Sequence, residues 1–395
     1  MNDNQLVMIA SAPVLVRDAG ALFLDTKFVE GMRLHQALWH GPVACILWKG
    51  QDAIPFGAEY RAADLGFDLT LLEPGQAIEA LHLARAAVVA ASADIIAALE
   101  VAPLCRAAGA RLVYTIEYTL ATRLRIAALD RSRGPLRKAR SMLWNLGHER
   151  RRRAAFRAAD GVQFNGYPAR DAYSGLTRDG LLFLDGRMRR GMMARDDQMQ
   201  ARADRLAAGA PLRIVHSGRL VAMKGAQDLL PVAAALRGSG MAFTLDIFGT
   251  GELHAEISKG IVLAGMHDQV RLHPAVDFET GLVPFLTSEA DVFLSCHRQA
   301  DPSCSYLESL SCGVPVVGYD NAMWRALCAA SGAGWVVPMG RIAAMAAQIA
   351  TLARDPASVT AAAARALAFG RLHDVESEFA LRMAHLAKRA GPSGR

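Results

Sequence analysis

The residues best placed to do chemistry lie between positions 295 and 319, in the run SCHRQADPSCSYLESLSCGVPVVGY. Residues 291–295 form an apolar stretch of strand length. Asp301, Pro302, Ser303 and Ser305 are loop and helix-start types. Tyr306, Leu307 and Leu310 follow at helical spacing, Gly313 closes that helix as a C′ glycine, and residues 314–317 read as a second buried strand. A helix entered from a strand's carboxyl end presents free N–H groups to an anion, and Ser303, Cys304 and Ser305 stand at that helix start. Glu308 falls on its first turn, within reach of ligand hydroxyls. The same residues have a plain structural reading. Asp301 and Pro302 suit an N-cap and the first helical position. Ser305 and Glu308 have the spacing of a capping box.

The elements that must hold this run alternate between strand and helix. Strand-like segments fall at 6–10, 42–47, 67–72, within 88–99, and at 111–116, with a helical pattern over 26–38. Such alternation predicts parallel sheets covered on both faces. Residues 11–20 read as a loop holding Pro13, Asp18 and Gly20. Glu117 and Tyr118 follow the 111–116 strand at its carboxyl end, where ligands of open α/β sheets bind; a solvated loop carboxylate is the alternative for Glu117. A second set of strands is expected at 212–216, 243–248 and 334–338, with helices at 226–237, 280–288, 321–330, 341–353 and 356–369. Residues 185–204 are polar and lack a sheet pattern, which sets the domain boundary there. An amphipathic helix at 375–389 ends the pattern.

The segment LESLSCGVPVVGYDN strongly resembles the donor-site signature of retaining glycosyltransferases of family 4. The resemblance implies the GT-B fold, an α/β architecture of two Rossmann-like domains facing a central cleft. Residues 1–195 would be an acceptor-binding domain, 205–370 a nucleotide-sugar-binding domain, and 371–395 a helix crossing back to the first. The family's Gly-Arg-Leu, followed by Lys-Gly, is matched by Gly218, Arg219, Lys224 and Gly225. Arg219 and Lys224 would stabilise the charge gathering on a leaving diphosphate. Glu308 would hold the ribose. Gly249 and Gly251 match a loop near the nucleotide, and residues 270–273 resemble the strand whose end lines the base pocket, with His273 as a shaping residue. On the acceptor side the family places a glycine loop after the first strand, here Gly20, and a polar residue such as Glu117 or Tyr118. One position departs from the pattern. The family has two glutamates separated by seven residues, and counting eight back from Glu308 gives Ala300, with Asp301 adjacent. Asp301 takes over the missing carboxylate's contact with sugar hydroxyls, caps the helix, or marks a different donor sugar.

The activity so implied is transfer of a sugar from a nucleotide diphosphate sugar to a polysaccharide or lipid-linked acceptor, with no tightly bound cofactor or metal. The alternatives are a nucleotide-sugar epimerase or phosphorylase on the same fold, and a catalytically idle scaffold that binds nucleotide sugar. Composition agrees with a globular two-domain chain: 395 residues, 52% hydrophobic and 21% charged. The start MNDNQLVMIA has no basic region of a signal peptide, and no apolar run reaches the ~18 residues of a spanning helix. Six cysteines without a Cys-x-x-Cys pair read as reduced cytosolic thiols. The net charge of +6 concentrates in arginines from Arg131 to Arg157. They read either as a solvated helix face or as an attachment to anionic lipid at the inner face of the cell membrane. No nucleic-acid-binding motif accompanies them.

Overall fold

A computed structural model describes residues 4–17, 20–50, 54 and 57–390. The N-terminal residues 1–3 and Asp18 therefore lie outside the described residues. The chain divides into two compact units, Met1–Leu120 with Leu143–Phe183 and Glu378–Arg395, and Ala121–Met142 with Leu184–Ser377.

The first unit carries β1 (Gln5–Ile9), β2 (Val14–Val16), β3 (Leu22–Asp25), α1 (Thr26–Leu38), β4 (Val43–Trp48), β5 (Gly57–Tyr60), β6 (Asp68–Leu72), β7 (Ala86–Ser92), α2 (Ala102–Ala107) and β8 (Arg111–Ile116). Helices α3 (Leu120–Leu129) and α4 (Pro135–Ala158) follow, of which α3 past Leu120 and α4 up to Met142 are counted with the second unit; then come β9 (Gly161–Asn165), α5 (Tyr167–Tyr173) and β10 (Gly180–Phe183) of the first. Seven strands form one parallel sheet in the order β10-β9-β8-β7-β1-β4-β6. Parallel strands buried on both faces read as continuous apolar runs, and Ala86–Ser92 is one. Tyr114, Phe156 and Tyr173 pack edge to face at 5.9 and 5.1 Å on one side of this sheet. The Tyr114 hydroxyl donates to Ala98 O at 2.7 Å, so its polar end is satisfied inside the core.

The second unit carries α6 (Asp196–Ala207), β11 (Leu212–Ser217), α7 (Leu229–Gly238), β12 (Phe243–Phe248), α8 (His254–Leu263), β13 (Val270–His273), α9 (Val283–Glu289), β14 (Val292–Ser295), α10 (Cys304–Ser311), β15 (Val316–Tyr319), α11 (Ala322–Ser331), β16 (Gly334–Val337), α12 (Ile342–Ala353) and α13 (Pro356–Leu372); α14 (Val375–Ala390) ends the described chain. Its six-stranded sheet is parallel, in the order β13-β12-β11-β14-β15-β16. Ile214, Leu245, Val292 and Val317 fill the core with Met345 and Ile349 of α12. Gly370 of α13 lies so close to Ser311 of α10 that a side-chain carbon there would meet the Ser311 backbone.

The two parallel sheets are the Rossmann-like pair expected of the GT-B fold. Two local readings change. Residues 11–20 contain β2, which pairs with β3, itself paired with β5, in a small antiparallel sheet. Gly20 makes the β2–β3 turn with a left-handed φ of +78°, its N–H donating to Arg17 O at 3.2 Å. Residues 185–204, read as a linker, include most of α6, whose Arg202 is buried and donates to the carbonyls of Leu286, Thr287 and Cys312.

Candidate functional site

The candidate donor residues lie at the carboxyl edge of the second unit's sheet, on the loops after β11, β12 and β14, at the end of β13 and on α10. The β11 and β12 loops are sewn together by backbone bonds: Gly218 N–H to Phe248 O (3.1 Å), Leu220 N–H to Thr250 O (2.8 Å) and Leu253 N–H to Leu220 O (2.9 Å). This approach requires Gly249, whose φ is +131° and whose added Cβ would overlap Gly218 O. Arg219, at the tip of the β11 loop, is exposed. No ion pair or hydrogen bond of its side chain is found among the described residues.

Lys224 has a different setting. The chain turns at Gly225, with φ +70° and no room for a Cβ beside Cys296 O. Lys224 thereby folds inward, and its Nζ donates to Asp301 Oδ2 at 2.6 Å; the two side chains are 8% and 9% exposed. Asp301 is thus an ion-pair partner of Lys224. The N-cap of α10 is Ser303, which makes no side-chain capping bond, so Asp301 and Pro302 lie before the cap.

The same boundary moves Glu308. With Ser303 as the N-cap, Glu308 sits past the first turn, and Ser305 is inside the helix. The capping box is therefore absent. Ser305 Oγ instead lies 2.9 Å from Ser303 Oγ, and Cys304 begins α10 half-buried. Glu308 Oε1 accepts from Arg187 Nε at 2.7 Å. The Arg187 guanidinium stands 3.7 Å over the Phe278 ring, and Glu308 is 4% exposed. The expected C′ glycine is present: Gly313 has φ +63°, its N–H donates to Leu310 O, and Val314 N–H donates to Ser309 O. Those are the two bonds of a Schellman motif. They fix the end of the helix that presents Glu308.

His273 stacks on Phe248 at 4.3 Å and its Nε2 lies 2.7 Å from Asp246 Oδ1. Both contacts suit a residue that shapes the strand end. Behind the β11 and β14 edge lie His216 and His297, with ring centroids 6.4 Å apart. Burial, with a minor push from the Lys224 charge, lowers His216 to about 4 and His297 well below the ordinary imidazole range. Both rings are neutral at pH 7. Tyr306 stacks on Trp324 at 5.3 Å, and its hydroxyl accepts from Ser295 Oγ and Asn321 Nδ2, both at 3.2 Å. Among the described residues no group of three or more His, Cys, Asp or Glu is arranged to hold a metal.

In the first unit, Asp94 accepts from Glu117 N–H at 3.1 Å and Tyr118 N–H at 3.4 Å. The loop after β8 is thus organised by a carboxylate from the loop after β7, a role nothing in its local sequence announces. Arg187, Phe278 and the Arg298–Asp228 pair also escaped sequence reasoning. Arg187 sits in the segment read as linker, and its partner is 121 positions away.

The arginines of α4 do not share one environment. Arg152 is buried and bonds Glu149 Oε2 (3.1 Å) and Ala93 O (3.0 Å), and Arg153 bonds Glu149 Oε1 (3.1 Å). Arg137, Arg140, Arg150 and Arg157 are exposed. Beside them stand exposed Leu136 (86%), Leu143 (69%), Trp144 (52%) and Leu146 (46%). No helix among the described residues is long and apolar enough to cross a membrane.

Comparison with known proteins bears on the second unit most directly. Residues 197–367 match the family model described as glycosyl transferases group 1. The amylovoran biosynthesis glycosyltransferase AmsK of Erwinia amylovora is 28% identical over 178 residues, covering 43% of this chain and 41% of that protein. The chain spans about two fifths of the length of the curated relatives it matches. Among solved structures, Anabaena Alr3699/HepE in complex with UDP-glucose superposes with a TM-score of 0.63 at 14% identity, over 97% of this chain and 99% of that one. Sucrose-phosphate synthase from Thermosynechococcus elongatus gives 0.66 at 17% identity, over 99% and 100%. At such identities the shared property is the fold. The chain is therefore a two-sheet protein of the GT-B type whose second unit is related to the group 1 glycosyl transferases.

Proposed function

We propose that this chain is a retaining glycosyltransferase that moves a sugar from a nucleoside diphosphate sugar to a saccharide or lipid-linked acceptor. One observation carries the reading: Arg219, Lys224, Asp301 and Glu308 sit on one sheet edge, inside the stretch that matches the group 1 family. Arg219 and Lys224 receive the diphosphate, and Glu308 receives the ribose. Gly218, Gly249 and Gly251 bring backbone close to the nucleotide, and His273 shapes its pocket. Ser303, Cys304 and Ser305 offer the α10 start to phosphate oxygens. The relative AmsK is named as an amylovoran biosynthesis glycosyltransferase, and HepE was solved with UDP-glucose; both support sugar transfer from a nucleotide-sugar donor. Residues 1–195 take the acceptor, with Glu117 and Tyr118 at the β8 edge. The exposed leucines, Trp144 and arginines of α4 suit a peripheral contact with anionic lipid at the cytosolic membrane face.

The test is transfer of labelled sugar from UDP-, GDP- and ADP-sugars to lipid-linked saccharide, with the product's anomeric configuration read by NMR. The reading expects acceptor-dependent transfer with the donor's configuration kept. Donor isomerisation without acceptor would point to an epimerase, phosphate-dependent cleavage to a phosphorylase, and binding without turnover to a scaffold.

A further inference from the structure

The loop after β14 is fixed at both ends. Arg298 forks onto Asp228, its Nη2 lying 2.8 Å from both carboxylate oxygens, and Arg298 N–H donates to Met223 O at 3.0 Å. At the other end Ser303 opens α10 and its N–H donates to Asp301 O at 2.8 Å. Among the described residues, two polar contacts from outside the loop reach residues 299–302. One is the Lys224–Asp301 pair, and the other is a 3.5 Å bond from Thr122 Oγ1 to Ala300 O. Around that pair several polar atoms are buried without a hydrogen-bond partner among the described residues: Asp301 Oδ1, Gln299 Oε1, and both ring nitrogens of His297. Buried polar groups are normally paired, so this span is poorly satisfied as it stands. What secures it is an ion pair whose cation the donor diphosphate also needs.

We propose that Asp301 is the resident counter-ion of Lys224 and that the diphosphate must displace it. This rests on the donor-site reading above. An ion pair out of water is strong, so a ligand gains Lys224 only by offering negative charge that matches the carboxylate. Asp301 thereby selects for phosphate-bearing ligands over the uncharged nucleoside. Once released it swings clear with residues 299–302, its carboxylate then available to sugar hydroxyls.

The experiment is calorimetric binding of UDP, GDP, ADP and the matching nucleosides to wild type, Asp301→Asn, Lys224→Met and the double variant, with denaturant melts confirming that each is folded. Asp301→Asn is expected to bind the cognate nucleoside diphosphate at least tenfold tighter, with nucleoside affinity unchanged. The gain should vanish in the Lys224→Met background. Tighter binding by Asp301→Asn where wild type shows none supports both the inference and the donor-site reading. If wild type binds a diphosphate and Asp301→Asn binds it no better, the counter-ion role is overturned and the donor site stands. If nucleoside and diphosphate gain equally, the carboxylate only props the loop shut, and the inference fails. If none of the four proteins binds any nucleotide, the donor-site reading and this inference fall together.

Discussion

Replacing Glu308 with glutamine separates its structural role from its binding role. Glu308 Oε1 holds Arg187 Nε at 2.7 Å, with side-chain exposures of 5% and 43%. Removing one partner of a fully buried pair costs about 3–5 kcal/mol, because a charge is left uncompensated in the interior. Here the charge left behind is Arg187, nearly half exposed and stacked over Phe278. Glutamine also keeps an acceptor oxygen for Arg187. The stability cost should therefore fall to about 1 kcal/mol, the scale of one weakened hydrogen bond. The binding cost should be larger. A carboxylate offers two acceptor oxygens to ribose hydroxyls and bonds about twice as strongly as a neutral group, whereas the amide offers one. Nucleoside diphosphate affinity should drop by at least about tenfold, or ~1.4 kcal/mol. Titration calorimetry on the folded protein, beside a urea melt, measures both. Unchanged affinity in a folded Glu308→Gln protein would refute the ribose assignment and leave Glu308 as an anchor for Arg187.

Other consequences can be checked independently. Arg219→Ala should lower kcat/KM by an amount equivalent to about 2–4 kcal/mol with an unchanged melting profile, since the side chain is exposed; near-normal turnover would remove Arg219 from the site. His216 holds its pKa near 4 by burial, while the unfolded chain titrates near 6.5. The unfolded state therefore takes up the proton first, so this stability is present above about pH 6.5 and is lost as pH falls toward 4, at up to about 1.4 kcal/mol per pH unit. His216→Gln should flatten that slope in urea melts between pH 6.5 and 5; an identical slope would mean His216 charges freely in the fold. Binding to anionic vesicles should weaken steeply with salt and fall in Leu143→Ser/Trp144→Ser, whereas equal binding to neutral vesicles would remove the electrostatic account of α4.

Most strands of the second unit were legible as short apolar-rich segments, whereas 270–273, Val-Arg-Leu-His, was placed by the family resemblance. Residues 243–248 and 270–273 are read with the bounds they have in the structure. The small antiparallel sheet escaped because three- and four-residue strands carry no period to read. The helix start at Ser303 was missed for a related reason: an aspartate and two serines within five residues all suit a cap, and which one caps depends on tertiary partners. Asp301 is drawn from helix-capping by Lys224, 77 positions earlier. Arg187 and Asp94 were invisible because their roles lie in contacts to distant segments, which composition and spacing do not encode.

The central claim is that the second unit binds a nucleoside diphosphate sugar through Lys224, Arg219 and Glu308. A thermal-unfolding screen of the whole chain against UDP-, GDP- and ADP-sugars tests it most directly. The account predicts that one base class stabilises the protein by about 2.7 kcal/mol at a hundred times its Kd, and that Arg219→Ala abolishes most of that shift while melting like wild type on its own. Stabilisation by none of the three classes, or a full shift retained in Arg219→Ala, would contradict it.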